Sequence, residues 1–285
     1  MPVLGVPRRI RVRQRFISMQ FYETYYYANI VHNVLTDPFP YIRSVHAWYE
    51  DREAEVLLPP FPKWTRLHDF TRYVINSVID EDVRDTTIDA VVHETGFEVW
   101  ADQALRQHKY ECIGFKRWLK EQAISLDDLT EDHLADYYSE LRLSGSLEDL
   151  VEHISEEVFH VLFGNRVLLS QLNHMLARVL KTTFSDCIPE EAAAHFDAPG
   201  KLTRVPLPEW CKRAIFHRDR GMCAACNKDI SGLVAAQPDK HYDHIAALSL
   251  GGLNDVTNIQ LLCEACNLKK SAKSAPVSDL YESWY

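Results

Sequence analysis

The sequences CAAC at Cys223–Cys226 and CEAC at Cys263–Cys266 decide how the C-terminal part of this chain folds. Each pair has two residues between its cysteines, a spacing that presents two thiolates to one tetrahedral zinc ion. The 36 residues between the pairs exceed the spacing of a plain zinc ribbon, so this insert must be ordered. We therefore predict one structural zinc site, which stabilises a module too small to rely on its core. Its ligands are Cys223, Cys226, Cys263 and Cys266.

The insert contains polar residues suited to metal-dependent hydrolysis. Asp243 and His244 are adjacent in KHYDHI, Asn258 begins NIQLL, and Asn267 directly follows the last cysteine. Carboxylate and amide oxygens can hold a divalent cation. An imidazole has the ordinary pKa needed to deprotonate a water near neutral pH. These residues indicate a hydrolytic site on a scaffold held together by zinc.

Local signals around these residues predict a β-β-α arrangement. Pro208 suits the first turn of a helix from Glu209 to about Arg220, and Gly221 ends it. Residues 240–245 can form a short strand, residues 248–256 a long turn, and residues 258–262 the returning strand. A closing helix is expected from Glu264 to about Ser274.

In the order and spacing of these elements, residues 208–274 resemble the HNH (ββα-metal) endonuclease superfamily in its zinc-bearing form. The resemblance covers under a quarter of the chain, and residues 1–207 carry no comparable motif. It rests on RDRG before the first cysteine pair, YDHI, the pair Gly251-Gly252, NIQLLC, and CN followed by two lysines.

The resemblance implies a role for each polar residue. His244 matches the general base, and Asn258 matches a residue whose hydrogen bond to backbone holds His244 in its productive orientation. Asp243 and Asn267 match the protein ligands of a catalytic Mg²⁺ or Mn²⁺, which leaves the rest of the metal shell to water and phosphate. The residues alone leave alternatives open. Asn267 is also typical of a helix cap and Asn258 of a turn. His241 could be a bystander, a phosphate contact or, less favoured, a metal ligand.

Basic residues on the two predicted helices are candidates for nucleic-acid contacts, although a solvated helix face explains each equally well. Residues 201–285 contain 11 Lys/Arg and 9 Asp/Glu, whereas residues 1–200 contain 20 and 32, a net charge of −12. Because DNA binding draws on basic surfaces, the first 200 residues are not expected to hold DNA. The basic run Arg8–Arg15 indicates either an arm on nucleic acid or an ordinary exposed segment. The candidate contacts are Lys269, Lys270, Lys273 and Arg218.

The first 200 residues predict an all-α or mostly α domain. Apolar residues recur at helical spacing over 64–78, 147–162 and 167–180. Ser146, with Asp149 three residues later, indicates a capping box. Residues 198–208 predict a linker, so we expect a helical regulatory or partner-binding domain at 1–200 and a nuclease domain at 201–285.

Composition limits the class of protein and its location. The 285 residues are 46% hydrophobic and 25% charged, as in globular proteins. No run approaches the roughly 18 apolar residues of a membrane helix, and the N-terminus lacks a secretory signal. The other three cysteines are scattered and predict free thiols rather than disulfides. We expect a cytoplasmic protein.

The leading functional hypothesis is a metal-dependent HNH endonuclease that cuts DNA under the control of residues 1–200. A single site predicts nicking by a monomer, and such control would suit a restriction or anti-phage defence effector. The alternatives are a non-catalytic zinc module that binds nucleic acid or protein, and an RNA-directed nuclease. A pure binding module has no need of the four polar residues, so these residues favour the enzyme.

Overall fold

The computed structural model describes residues 16–50, 58–232, 240–271 and 277–281, with the side chain of residue 50 left aside. The basic run Arg8–Arg15 lies outside these residues. The described part up to residue 183 is helical, which confirms the mostly α prediction. Its α-helices are α1 (Thr24–Thr36), α2 (Ile42–Glu50), α3 (Arg66–Asp85), α4 (Ile88–His93), α5 (Trp100–Gln107), α6 (Phe115–Glu121), α7 (Glu131–Leu143), α8 (Ser146–Leu162) and α9 (Arg166–Thr183).

Helix α8 lies at the centre of this domain and packs against α1, α3, α5 and α7. Its apolar stripe, which includes Leu150, Ile154 and Val158, is fully buried, as the helical spacing predicted. The capping box predicted at Ser146 is wrong. Ser146 is the first residue of the helix, and Gly145 holds the N-cap position without a side-chain hydrogen bond.

The predicted linker is ordered over its first half. Strands β1 (Phe196–Ala198) and β2 (Lys201–Leu202) form an antiparallel hairpin in which Leu202 is buried in the helical core. The Thr203 hydroxyl and backbone N–H then bond Asp197 and His195. Only residues 203–208 run as an irregular connection to the C-terminal module.

The C-terminal module has the predicted β-β-α order. Helix α10 (Glu209–Arg218) precedes strands β3 (His241–His244) and β4 (Ile259–Leu262), which pair antiparallel with His244 opposite Ile259. Helix α11 (Glu264–Lys270) follows, and Lys273 lies outside the described residues. None of the described helices is both long and apolar enough to cross a membrane.

The two parts of the chain share their cores. Ile245, Leu248 and Leu253 of the C-terminal module belong to the apolar cluster of the helical domain. In the other direction, Phe61 lies in the apolar cluster of the module, among residues such as Ile215 and Leu261. The boundary near residue 200 remains a prediction, and extensive contacts cross it.

Candidate metal centre and active site

The four cysteines of the two pairs come together at the root of the module. The first turn is closed by hydrogen bonds from Cys223 N–H to Lys228 O and from Asn227 N–H to Cys223 O, at 2.8 and 2.9 Å. Cys263 is the N-cap of α11, and Cys266 lies in the first turn of that helix. The backbone of each turn therefore aims two sulfurs at the same point.

The sulfur positions fit a tetrahedral zinc ion. All four Sγ atoms lie within 4.8 Å of one another, and those of Cys226 and Cys263 are 3.8 Å apart. Zn–S bonds of about 2.3 Å at tetrahedral angles require S···S distances of about 3.8 Å. Burial, together with neighbouring thiols, raises the pKa of Cys226 and Cys266, so a bound cation would favour the thiolate form of these two ligands. The prediction that the four cysteines come together as one possible metal-binding group is confirmed.

Asn258 braces the loop of residues 245–258 between the two strands. Its Oδ1 accepts from the Ala246 N–H at 2.8 Å, and its Nδ2 donates to Ala246 O and Leu253 O at 3.1 and 2.8 Å. These are the backbone bonds that the resemblance implied. They hold the loop directly after His244 rather than the imidazole itself.

The glycine pair allows this loop to close against two neighbours. A Cβ on Gly252 would lie 1.9 Å from Ala246 O, within the loop. Gly251 has a φ of +91°, and a Cβ there would lie 2.3 Å from Ala177 O of α9. Glycine is required at both positions. Gly252 allows the loop to fold back on itself, and Gly251 allows the loop to contact the helical domain.

His244 ends β3 and is 1% exposed. Its Nε2 lies 3.3 Å from Asn254 Oδ1, while its Nδ1 has no hydrogen-bond partner among the described residues. Burial, and then the positive charge of Arg204, lowers the pKa of His244 to about 4. The imidazole is therefore neutral near pH 7, as a general base must be.

Asp243 forms an ion pair that sequence reasoning did not foresee. The Lys270 ammonium lies 2.8 Å from Asp243 Oδ2 and donates to His244 O at 2.8 Å. Lys270 was predicted to contact phosphate, but its side chain is 3% exposed because it supplies the counter-charge of this carboxylate. The Asp243 side chain keeps 16% of its surface exposed.

Asn267 is the fourth residue of α11, and Cys263 is the cap, so the capping alternative does not hold. Residues three apart share a helix face. Asn267 therefore lies on the same face as Lys270, which reaches Asp243. A carboxylate and an amide oxygen are donors that Mg²⁺ or Mn²⁺ accepts, but a metal ion at Asp243 would have to share this carboxylate with the Lys270 ammonium.

Arg218 is buried rather than placed at a surface. Its guanidinium bonds both carboxylate oxygens of Asp219, at 2.9 and 2.8 Å, and donates to Ile259 O at 2.7 Å. Asp219 in turn accepts from the Leu261 N–H. The predicted phosphate contact at Arg218 is therefore wrong in this structure, since its donors fix α10 to β4.

Two residues beside the site escaped the sequence reasoning. Asn254 contacts the imidazole directly, although it stands in a turn where asparagine is common. Arg204 is exposed and close enough to His244 to affect its pKa, but it stands in the segment interpreted as a linker. Lys269 is exposed on α11, and its contact with phosphate stays a prediction.

Comparison with known families agrees with this geometry. Residues 222–273 match the family model of the HNH endonucleases. The C-terminal module is an HNH domain. The match includes all four cysteines and the loop between the strands, and it supports nuclease activity and a nucleic-acid substrate. Neither the curated proteins nor the solved structures gave a match.

Proposed function

We propose that this protein is a metal-dependent endonuclease that hydrolyses phosphodiester bonds in DNA. The observation that carries the proposal is the neutral imidazole of His244, whose Nδ1 has no hydrogen-bond partner among the described residues, beside the Asp243 carboxylate. Both stand inside a domain of the HNH endonuclease family. A non-catalytic zinc module would have no reason to bury an unpaired imidazole nitrogen.

In this proposal each residue of the site has its own role in hydrolysis. His244 Nδ1 accepts the proton of the attacking water, and Asn258 holds the loop that follows. Asp243 and Asn267 would hold a catalytic Mg²⁺ or Mn²⁺, which when bound would stabilise the charge developing on the phosphate. The exposed Lys269 and Arg204 would contact neighbouring phosphates.

We also propose that residues 1–200 control this activity, through a protein partner or another trigger. Phe61, Arg66 and Ala177 of the helical domain all contact the loop of residues 245–258. His244 is closed from solvent in this arrangement, so the substrate needs a rearrangement to reach it. A cytoplasmic restriction or anti-phage defence effector would be a suitable setting.

One His244 per chain hydrolyses one phosphodiester at a time. A monomer should therefore nick duplex DNA, and a double-strand break should require two nicks or two chains.

The test uses the full chain with supercoiled plasmid, single-stranded DNA and RNA, each with Mg²⁺, Mn²⁺ or EDTA. We expect metal-dependent cleavage of DNA, with relaxed plasmid appearing before linear plasmid. Preferential cleavage of RNA would replace the DNA proposal with the RNA-directed alternative. Binding without cleavage under every condition would favour the non-catalytic zinc module.

A further inference from the structure

Asn254 is held in one orientation by a contact from outside residues 222–273, which match the HNH family model. Its Nδ2 donates to Thr203 O at 2.9 Å, in the connection that leads from the helical domain. A backbone carbonyl only accepts, so this bond fixes which end of the amide is nitrogen. Asn254 Oδ1 therefore points at His244 Nε2, 3.3 Å away.

This orientation determines where the imidazole carries its proton. An amide oxygen has no hydrogen to give, so Nε2 must be the donor and must hold the N–H. In a neutral ring the other nitrogen, Nδ1, then keeps its lone pair. Nδ1 is also the nitrogen without a partner among the described residues. We propose that Asn254 is a positioning residue that holds His244 in the Nε2–H tautomer and thereby keeps Nδ1 ready to accept a proton.

The helical domain takes part in this arrangement. The Phe61 N–H donates to Asn254 O at 2.7 Å. The next residue, Asp255, is fully buried and accepts from the Arg66 N–H at the start of α3, at 3.1 Å. Phe61 thus holds the backbone of Asn254, and Thr203 holds its side chain. Both partners lie outside the matched residues 222–273. The helical domain completes the active site as well as controlling access to it.

Asn254 and Asn258 therefore act differently. Among the described residues, the Asn258 side chain bonds backbone atoms of Ala246 and Leu253. Among the described residues, Asn254 provides the side-chain hydrogen bond to the imidazole. The role of Asn254 in catalysis rests on the proposed function of His244 as general base, whereas its effect on the tautomer does not.

The first arm of the test measures cleavage by full-length variants. Asn254→Ala should lower kcat by about 10²-fold with little change in KM, because a misoriented base acts after the substrate has bound. Asn254→Asp keeps an acceptor for Nε2–H and should stay within about tenfold of the wild type. Asn76→Ala is the matched control, since Asn76 is a partly buried asparagine that bonds Arg72 and Arg142 in the helical domain.

The second arm needs neither metal nor DNA. Long-range ¹H–¹⁵N spectra of the ¹⁵N-labelled full chain report the tautomer of each histidine, and His244→Gln identifies the His244 signal. We expect a protonated Nε2 in the wild type, Asn76→Ala and Asn254→Asp, and a mixture of tautomers in Asn254→Ala.

The proposal would be overturned if a folded Asn254→Ala variant kept both the His244 tautomer and the cleavage rate of the wild type. If Asn254→Ala does not fold, Asn254→Asp decides, and loss of the Nε2–H tautomer in that folded variant contradicts us. A wild-type protein that cleaves nothing removes the proposed function, and the spectra alone then decide the role of Asn254.

Discussion

The cysteine cluster and the loop of residues 245–258 lie in one small module but are held in different ways. The cluster takes all four sulfurs from two short turns of the module. The loop closes through Asn258 and then depends on distant residues, including Phe61, Arg66 and Thr203. The cysteine cluster is thus encoded locally, whereas the order of the loop beside His244 depends on contacts from residues far earlier in the chain.

The largest expected effect comes from breaking the cluster. Cys223→Ser should abolish stoichiometric metal binding and unfold the HNH domain, because metal binding supplies on the order of 10 kcal/mol to small zinc domains. Metal analysis and thermal unfolding of the full chain measure both consequences. Cys187→Ser, at an exposed free thiol, is the control. A folded, active Cys223→Ser protein without bound metal would contradict the zinc assignment.

A smaller effect should follow from loosening the loop while leaving the cluster intact. The Phe61 side chain is 6% exposed within the apolar cluster of the module. Phe61→Ala should cost about 3 kcal/mol of unfolding free energy and accelerate amide exchange in residues 245–258. Bound zinc should remain.

Phe39→Ala is the matched control, since Phe39 is 80% exposed. Equal exchange in the two variants would show that the loop does not depend on the helical domain. The net charge of −12 on residues 1–200 predicts that residues 201–285 alone, if they stay folded, cleave DNA with less restraint than the full chain. The shared cores instead lead us to expect that this fragment loses the order of its loop.

Glu157 lies in α8 of the helical domain, outside the cysteine cluster and the loop of residues 245–258. Its replacement should therefore affect stability without changing either. Burial opposes ionisation of this carboxyl, but the nearby His108 imidazole and hydrogen bonds from the Thr24 hydroxyl and the Gln20 N–H outweigh it and lower the pKa to about 2. Ionised Glu157 therefore stabilises the fold above pH 4.5, and this contribution is lost as the pH falls towards 2. Glu157→Gln should cost about 2–3 kcal/mol at pH 7.

Denaturant unfolding between pH 7 and pH 2 checks this sign, with Glu156→Gln as the neighbouring control. The difference in unfolding free energy between Glu157→Gln and the wild type should shrink steadily below pH 4.5. A difference that grows on acidification would mean that Glu157 is not ionised in the folded protein. Bound metal and the His244 tautomer should stay unchanged at pH 7.

The smallest effect concerns the surface beside the loop. Arg204→Ala should raise the DNA concentration needed for half-maximal cleavage a few-fold and reduce the slope of log affinity against log salt by about one. Arg43→Ala, an exposed arginine of α2, should change neither quantity. Identical salt dependence in wild type and Arg204→Ala would remove Arg204 from the DNA-binding surface.

The sequence was most informative where structure depends on near neighbours. The paired spacing predicted the cysteine cluster, and helical periodicity predicted α3, α8 and α9. The sequence was not informative where a side chain bonds a residue far away in the chain. Lys270 could not be seen to pair with Asp243, nor Arg218 with Ile259 O, because the same basic residues are equally typical of an exposed helix face.

Asn254 shows the same limit within the site. Its neighbour Asn258 stands at a position that the family resemblance marks, whereas Asn254 has only the spacing of an ordinary turn. Its importance arises from Thr203, 51 residues earlier in the chain. The hairpin of β1 and β2 was missed for a related reason, since a two-residue strand leaves no periodic pattern.

Replacing His244 tests the central claim most directly. His244→Ala should lower metal-dependent DNA cleavage by about 10²–10⁴-fold while the chain stays folded and keeps its bound zinc. His241→Ala, three residues earlier on the same strand, should retain most of the activity. Wild-type cleavage by His244→Ala, or its loss only in His241→Ala, would contradict the assignment of the general base.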